Sequence, residues 1–314
     1  MSLLPSREGH VLVIGAAGTD IIGRADTTLH TSTSNPGQVR MCHGGVARNI
    51  AENLTRLGAE TILISAVGDD DPGRQLLDHV AEAGVVIDHT IIAEGMPTGS
   101  YLAVLNDQGG LQFALDDMTV IEAVTSQYLR QRYNLFKEAV AVVIDANLPP
   151  KTLATVCSLA HRARVPIGAD PTSKTLAKRL EPHLGDLWLI TPNEGEAEVL
   201  CPNPVPHADR DQAVNAARYL VSQGIQIAII AMAEYGVVYA TADSSGHIPA
   251  VKTEVIDPTG AGDALTATMI FALLNDIPLD EAVRLGASAA SLTLQTPGSV
   301  VPDLSLELLY NQLR

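Results

Sequence analysis

Apolar positions along the chain recur with two alternating periods. Val11 to Gly15 is a short apolar run closed by glycine, which predicts a buried strand. Val46, Ile50, Leu54 and Leu57 then repeat at helical spacing, and Gly58 stops the helix. Thr61 to Val67 returns as an apolar strand, Pro72 opens another helix and Gly84 closes it. The rhythm resumes with AVAVVIDANL as strand and PPKTLATVCSLAHRAR as helix. VPIGADPT, DLWLITPN and QIAIIAMAE read as further strands separated by helical segments. A hairpin is expected over Gly236 to Thr253, turning at Ser244-Ser245-Gly246, and the chain beyond Gly260 is mostly helical. Such alternation implies an α/β fold with a parallel sheet and right-handed crossovers.

Two stretches break the rhythm. Arg24 to His43 is rich in Thr, Ser, Asn, Pro and Gly, and reads as exposed strand or loop. Thr98 to Met118 holds two short runs around Gln108-Gly109-Gly110, which predicts a β-hairpin. Together they suggest a small sheet standing apart from the main one, a lid built from about 21–43 and 96–118. The whole chain, 1–314, is then one domain carrying that lid.

Composition narrows the function. The charged fraction is 18% and the apolar fraction 46%, so the chain can fill a globular core. Aromatics are only 4%, which leaves aliphatic side chains to build it. A net charge of −16 argues against binding nucleic acid or anionic membrane, which need a basic footprint. No apolar run is long enough to span a bilayer, and no secretory signal is seen at MSLLPSREGH. Three scattered cysteines, Cys42, Cys157 and Cys201, suggest reduced thiols in the cytoplasm rather than a disulfide framework or zinc cluster.

Two segments carry chemistry. Asp257-Pro258-Thr259-Gly260-Ala261-Gly262-Asp263 precedes an Ala/Leu/Thr-rich helix. Small residues at 260–262 let a ligand approach the backbone, and the helix start leaves amides unpaired. Those amides suit a transferring phosphoryl group, and Asp263 could take a proton from an attacking hydroxyl. Read alone, the segment is an anion hole plus a carboxylate, or simply a capped helix after a glycine-rich turn. In the second segment, Gly44-Gly45-Val46-Ala47-Arg48-Asn49, two glycines open a helix and Asn49 could bond vicinal hydroxyls.

In order and spacing these segments resemble the two signatures of the PfkB carbohydrate kinases, the ribokinase family. The resemblance implies a three-layer α/β/α domain with a mostly parallel central sheet and a β-sheet lid. It implies ATP-dependent phosphorylation of an alcohol, with Asp263 as base and Gly260, Ala261 and Gly262 as anion hole. Asp20, Gly44, Gly45 and Asn49 would hold substrate hydroxyls, although the family often has Asn where this chain has Gly18. Asn193 and Glu196 match the Asn-x-x-Glu segment that organises Mg2+, largely through water. Ala233 and Gly236 stand for a Gly-x-x-Gly nucleotide loop, with Ala233 replacing its first glycine. Thr259, and the adenine-pocket positions Ser288, Ser291 and Gln295, complete the nucleotide side. Family members often use K+ near Asp257 and Thr259, and often pair through their lids as homodimers.

SNPG at 34–37, ALDDM at 114–118, DANL at 145–148 and ADPTSKTLAKRL from Ala169 resemble a subfamily, the pseudouridine kinases. That implies a nucleoside 5′-hydroxyl at Asp263 and a base against the lid, near Thr98, Ser100 and Asp117. His43, just before Gly44, could also touch substrate. The alternatives are another family kinase acting on ribose, a hexose, adenosine or inosine, or an inactive ligand-binding protein on the same scaffold. GAAG at 15–18 lacks the spacing of a dinucleotide fingerprint.

Overall fold

The computed structural model describes residues 8–314. Its first strands are β1 His10–Ile14, β2 Gly18–Ala25, β3 Gly37–Gly44, β4 Thr61–Ile64, β5 Ala66–Gly68 and β6 Ile91–Ala93. β7 Gly99–Leu105, β8 Leu111–Asp117, β9 Ala139–Asp145, β10 Ile167–Asp170 and β11 Leu189–Ile190 follow. β12 Ile227–Ala231, β13 Val237–Ala240 and β14 Ser245–Ile248 complete the strands. The helices begin with α1 Val46–Arg56, α2 Asp71–Glu82, α3 Ser126–Gln131, α4 Tyr133–Glu138 and α5 Pro150–Ala163. They end with α6 Glu194–Leu200, α7 Arg210–Ser222, α8 Ala261–Leu274, α9 Leu279–Leu294 and α10 Leu306–Gln312.

The main sheet has eight strands in the order β14-β13-β12-β11-β10-β9-β1-β4. Its pairs from β12 through β4 are parallel, and β13 and β14 close one edge antiparallel. Strand residues alternate between two cores. Leu12, Ile14, Val142 and Ile144 face the layer of α3 to α7. Val11, Val13, Ala141 and Val143 face α1, α2, α8 and α9. Burial on both faces is why these strands read as continuous apolar runs. Helix α8 lies against α1 and α9 and is buried from Ala264 to Leu273. No helix among the described residues is long and apolar enough to cross a membrane.

The small sheet is ordered β3-β2-β7-β8, with β2 parallel to β7 and the outer pairs antiparallel. It starts at Gly18, earlier than the apolar pattern indicates, and residues 26–36 form a loop between β2 and β3. Two expectations need correction. Thr61 to Val67 is not one strand: Ser65 separates β4, in the main sheet, from β5, which pairs with β6. In the later hairpin Ser245 and Gly246 lie within β14, and the turn occupies 241–244.

Candidate active site

The site lies where β1, β9, β10 and β11 end, the edge of a parallel sheet where chain reversals leave a crevice. A cleft of about 620 Å3 there is lined by Asp20, Gly45, Asn49, Asn193, Gly260, Gly262 and Asp263, among others. Its floor is the N-terminus of α8. Gly260 is the helix N-cap with φ 82°, and its α-carbon faces the Ser299 carbonyl so closely that a Cβ would lie 2.1 Å from that oxygen. The amides of the first turn, including Ala261, Gly262 and Asp263, have no intrahelical acceptor and are available to an anion.

Asp263 is buried in that turn, and its Oδ2 accepts a 2.6 Å hydrogen bond from Asn49 Nδ2. Burial, and then the negative charge of Asp170, hold its carboxyl well above the usual range; Asn49 and Arg48 oppose this. The Asn49 amide is itself oriented, because Ser299 Oγ lies 3.0 Å from Asn49 Oδ1 and accepts from Arg48 Nη2 at 2.9 Å. Arg48 is buried and paired at 2.7 Å with the equally buried Glu52. Ser299 carries no local sequence signal and was not among the expected site residues.

The wall facing Asp263 follows from glycines at the start of α1. Gly45 has φ 93°, and a Cβ there would meet the Ala17 Cα at 2.5 Å. Gly44 leaves space for the Asp20 carboxylate, which burial pushes up to about 6. Asp145 ties these parts together. Its Oδ2 accepts from Ala16 N at 2.8 Å and Ala47 N at 3.0 Å, and its Oδ1 from Asn147 N at 2.9 Å. His43 does not line the cleft; its ring stacks on His79 at 4.6 Å between centroids.

Strand parity decides which lid residues face the cleft. Asp20, Tyr101 and Asp116 pair across β2, β7 and β8, and all three line it. Ser100 and Asp117 pair with each other one position away, so they point to the other face. Both are therefore corrected as base contacts, and Asp117 instead accepts from Thr119 N and Oγ1 at 3.1 and 2.7 Å. Thr98 is also corrected. It is buried away from the cleft, accepts from Gly68 N at 3.0 Å, and donates to Asp70. Ile22, Tyr101, Leu105, Leu111 and Met118 give this wall an apolar surface.

At the start of α6, Asn193 is the N-cap and forms a reciprocal box with Glu196. Glu196 is buried, and desolvation followed by the Asp170 charge pushes it up to about 8. Asp170, pushed up to about 6 mainly by burial, accepts from Thr266 Oγ1 at 3.1 Å. A buried carboxylate raised by a neighbouring one is relieved by a cation. Oxygen donors of this kind suit a hydrated Mg2+. Ala233 and Gly236 flank a short turn with φ 46° and 99°, outside the cleft. Ser288 is corrected: it is fully buried and donates to the Leu309 carbonyl at 2.8 Å. Ser291 is buried as well and accepts from Gln312 Nε2 at 3.1 Å, so neither hydroxyl faces an open adenine site. Thr259 lines the cleft, whereas Asp257 is fully buried and already paired with Arg40.

Comparison with known proteins gives this geometry a lineage. Residues 8–305 match the model of the pfkB family carbohydrate kinases. The chain is 34% identical over 298 residues to the pseudouridine kinase of Escherichia coli strain K12, covering 95% of this chain and 94% of that protein. It is 29% identical to the guanosine-inosine kinase of Exiguobacterium acetylicum, covering 94% and 97%. The Arabidopsis thaliana ribokinase complexed with ribose and ATP superposes with a TM-score of 0.85 at 20% identity, covering 98% and 99%, and shares the fold. The chain belongs to the pfkB family of carbohydrate kinases, phosphotransferases whose acceptor is an alcohol group on a sugar or nucleoside.

Proposed function

We propose that the chain transfers the γ-phosphoryl group of ATP to the 5′-hydroxyl of pseudouridine. The observation that carries this reading is the Asp263 carboxylate beside the α8 amides, in one cleft with Asp20 and Asn49. The cleft continues under the lid, where Leu105 and Leu111, farther along the strands than the Asp20–Tyr101 pair, add an apolar wall. That favours a nucleoside over a free sugar, and the 34% identity to a pseudouridine kinase favours this base.

Asp20 and Asn49 hold the ribose hydroxyls so that the 5′-oxygen meets Asp263. The attacking oxygen forms its bond to phosphorus as the bond to the ADP oxygen breaks, and the hydroxyl proton passes to Asp263. A raised pKa suits a base working near neutral pH. The amides of Ala261, Gly262 and Asp263 bond the phosphoryl oxygens as charge builds on them. Asn193, Glu196 and Asp170 would hold Mg2+ through water, and its charge would offset that of the phosphates. Closure of the lid excludes water and suppresses ATP hydrolysis.

The partner of the lid in this reading is a second copy of the chain. Val39, Met41, Phe113 and Leu115 are each more than half exposed on its outer face. A contiguous apolar face of this kind is covered in most stable proteins. With its free cysteines, the enzyme works in the cytoplasm.

ADP release measured over pseudouridine, uridine, inosine, guanosine, adenosine, ribose and fructose tests the substrate. Pseudouridine should give the highest kcat/KM, and a better ribose or purine nucleoside would replace it. Asp263→Asn should lower kcat by orders of magnitude while the nucleoside still binds. Near-normal turnover in that variant removes Asp263 from the role of base.

A further inference from the structure

The resemblance to the pfkB kinases points to a potassium ion beside Asp257 and Thr259, but the Asp257 carboxylate is already fully engaged. Its Oδ1 accepts from Thr259 N at 3.0 Å and Thr259 Oγ1 at 2.6 Å. Its Oδ2 accepts from Gly298 N at 2.9 Å and contacts Arg40 Nη2 at 2.5 Å. A carboxylate offers about four lone-pair sites, and these four partners use them. Asp257 is fully buried, so its charge needs a cation, and the cation beside it is the Arg40 guanidinium.

Arg40 belongs to the lid. It pairs with Ile22 across β2 and β3, on the face that lines the cleft. The ion pair thus joins the lid to the segment that leads into the Gly260 turn. The same guanidinium also opposes the raised pKa of Asp20. We propose that Arg40 acts as a built-in cation. It neutralises Asp257 and holds the Asp257–Gly262 segment in place of a monovalent ion, so that turnover needs no K+. Because the charge arrives on a lid strand, the anion hole is fully braced only while that strand is seated. The role assigned to turnover rests on the kinase reading above; the structural role does not.

The experiment compares K+ with tetramethylammonium at equal ionic strength, reading both ADP release and thermal unfolding. The wild-type protein should show the same kcat, within about twofold, and the same Tm in either salt. Arg40→Gln should lose roughly tenfold to a hundredfold in kcat in tetramethylammonium, less than breaking a fully buried pair would cost because Arg40 itself is partly exposed. In that variant K+ should restore turnover and raise the Tm. Arg40→Lys, which keeps the charge, should remain indifferent to K+ and serves if the glutamine variant folds poorly. A wild-type kcat several-fold higher in K+ would overturn the proposal, as would an Arg40→Gln protein with normal kcat and no response to K+. If the wild-type protein phosphorylates no alcohol, the kinase reading fails. The Tm comparison then still decides the part played by Arg40.

Discussion

Alanine at Gly260 is expected to unseat the anion hole, and alanine at Gly262 to spare the fold while blocking the ligand. Gly260 has φ 82°, and a Cβ in that left-handed region costs roughly 1–2 kcal/mol. The new carbon would also lie 2.1 Å from the Ser299 carbonyl oxygen and 2.7 Å from the Ser299 Cα. Both are backbone atoms, so relief requires the turn or the Ser299 segment to shift by about 1 Å, an overpacking cost of about 1–3 kcal/mol. The sum, roughly 2–5 kcal/mol, corresponds to a Tm lower by roughly 3–8 °C in a chain of 314 residues. The same displacement of the amide donors should cost about a hundredfold in kcat. Gly262 differs in both respects. It sits in the first turn of α8 with nothing within 4 Å of an added Cβ. Alanine there should stabilise the free protein by about 0.5–1 kcal/mol, yet crowd the phosphoryl group that the open space admits. Thermal unfolding and ADP release, measured on both variants, test the pair. A Gly260→Ala protein that melts with the wild type would refute the close packing on Ser299. A Gly262→Ala protein with full kcat/KM would show that no ligand approaches that backbone.

Two further outcomes follow from the geometry. Asp263 must be ionised to accept a proton, and burial together with Asp170 raises its pKa. The kcat/KM of the enzyme should therefore fall on the acid side, starting well above the usual carboxylate range, and rise with pH through that point; activity holding flat down to about pH 4 contradicts this. Leu115→Asp places a charge on the exposed lid face and should convert a dimer to a monomer in sedimentation; an unchanged sedimentation coefficient would remove the lid as the dimer surface.

Some parts of this architecture were legible in the chain because their signals are local. The Gly45 and Gly260 turns announce themselves through small residues placed directly before runs with helical apolar spacing, and both open helices as expected. Thr61 to Val67 misled because sheet membership is decided by partners elsewhere: β4 pairs with β1, and β5 with β6. Asp117 misled by one residue. The face a strand presents is set by its pairing, and a register shift between Val104 and Leu105 lies in the same hairpin. Ser299 and Arg40 were invisible for another reason. Ser299 reaches Asn49 across 250 positions, and Arg40 meets Asp257 only once the lid is folded. Asp145 and Asp170 did leave a trace. Each ends an apolar run, and an acid closing a buried parallel strand marks the edge where ligands bind.

Helix α8 is surrounded by other elements along its length, so the end proposed to hold the phosphate has nowhere to retreat. The opposite wall hangs on four strands whose inner apolar side chains, Ile22, Ala103 and Leu105, form a small cluster separate from the two main core layers. Choice of acceptor can therefore vary on the lid at positions other than Arg40, whose pairing with Asp257 ties that wall to the floor. A lineage could trade one acceptor for another through a handful of changes on the lid wall, while the floor kept performing the same reaction.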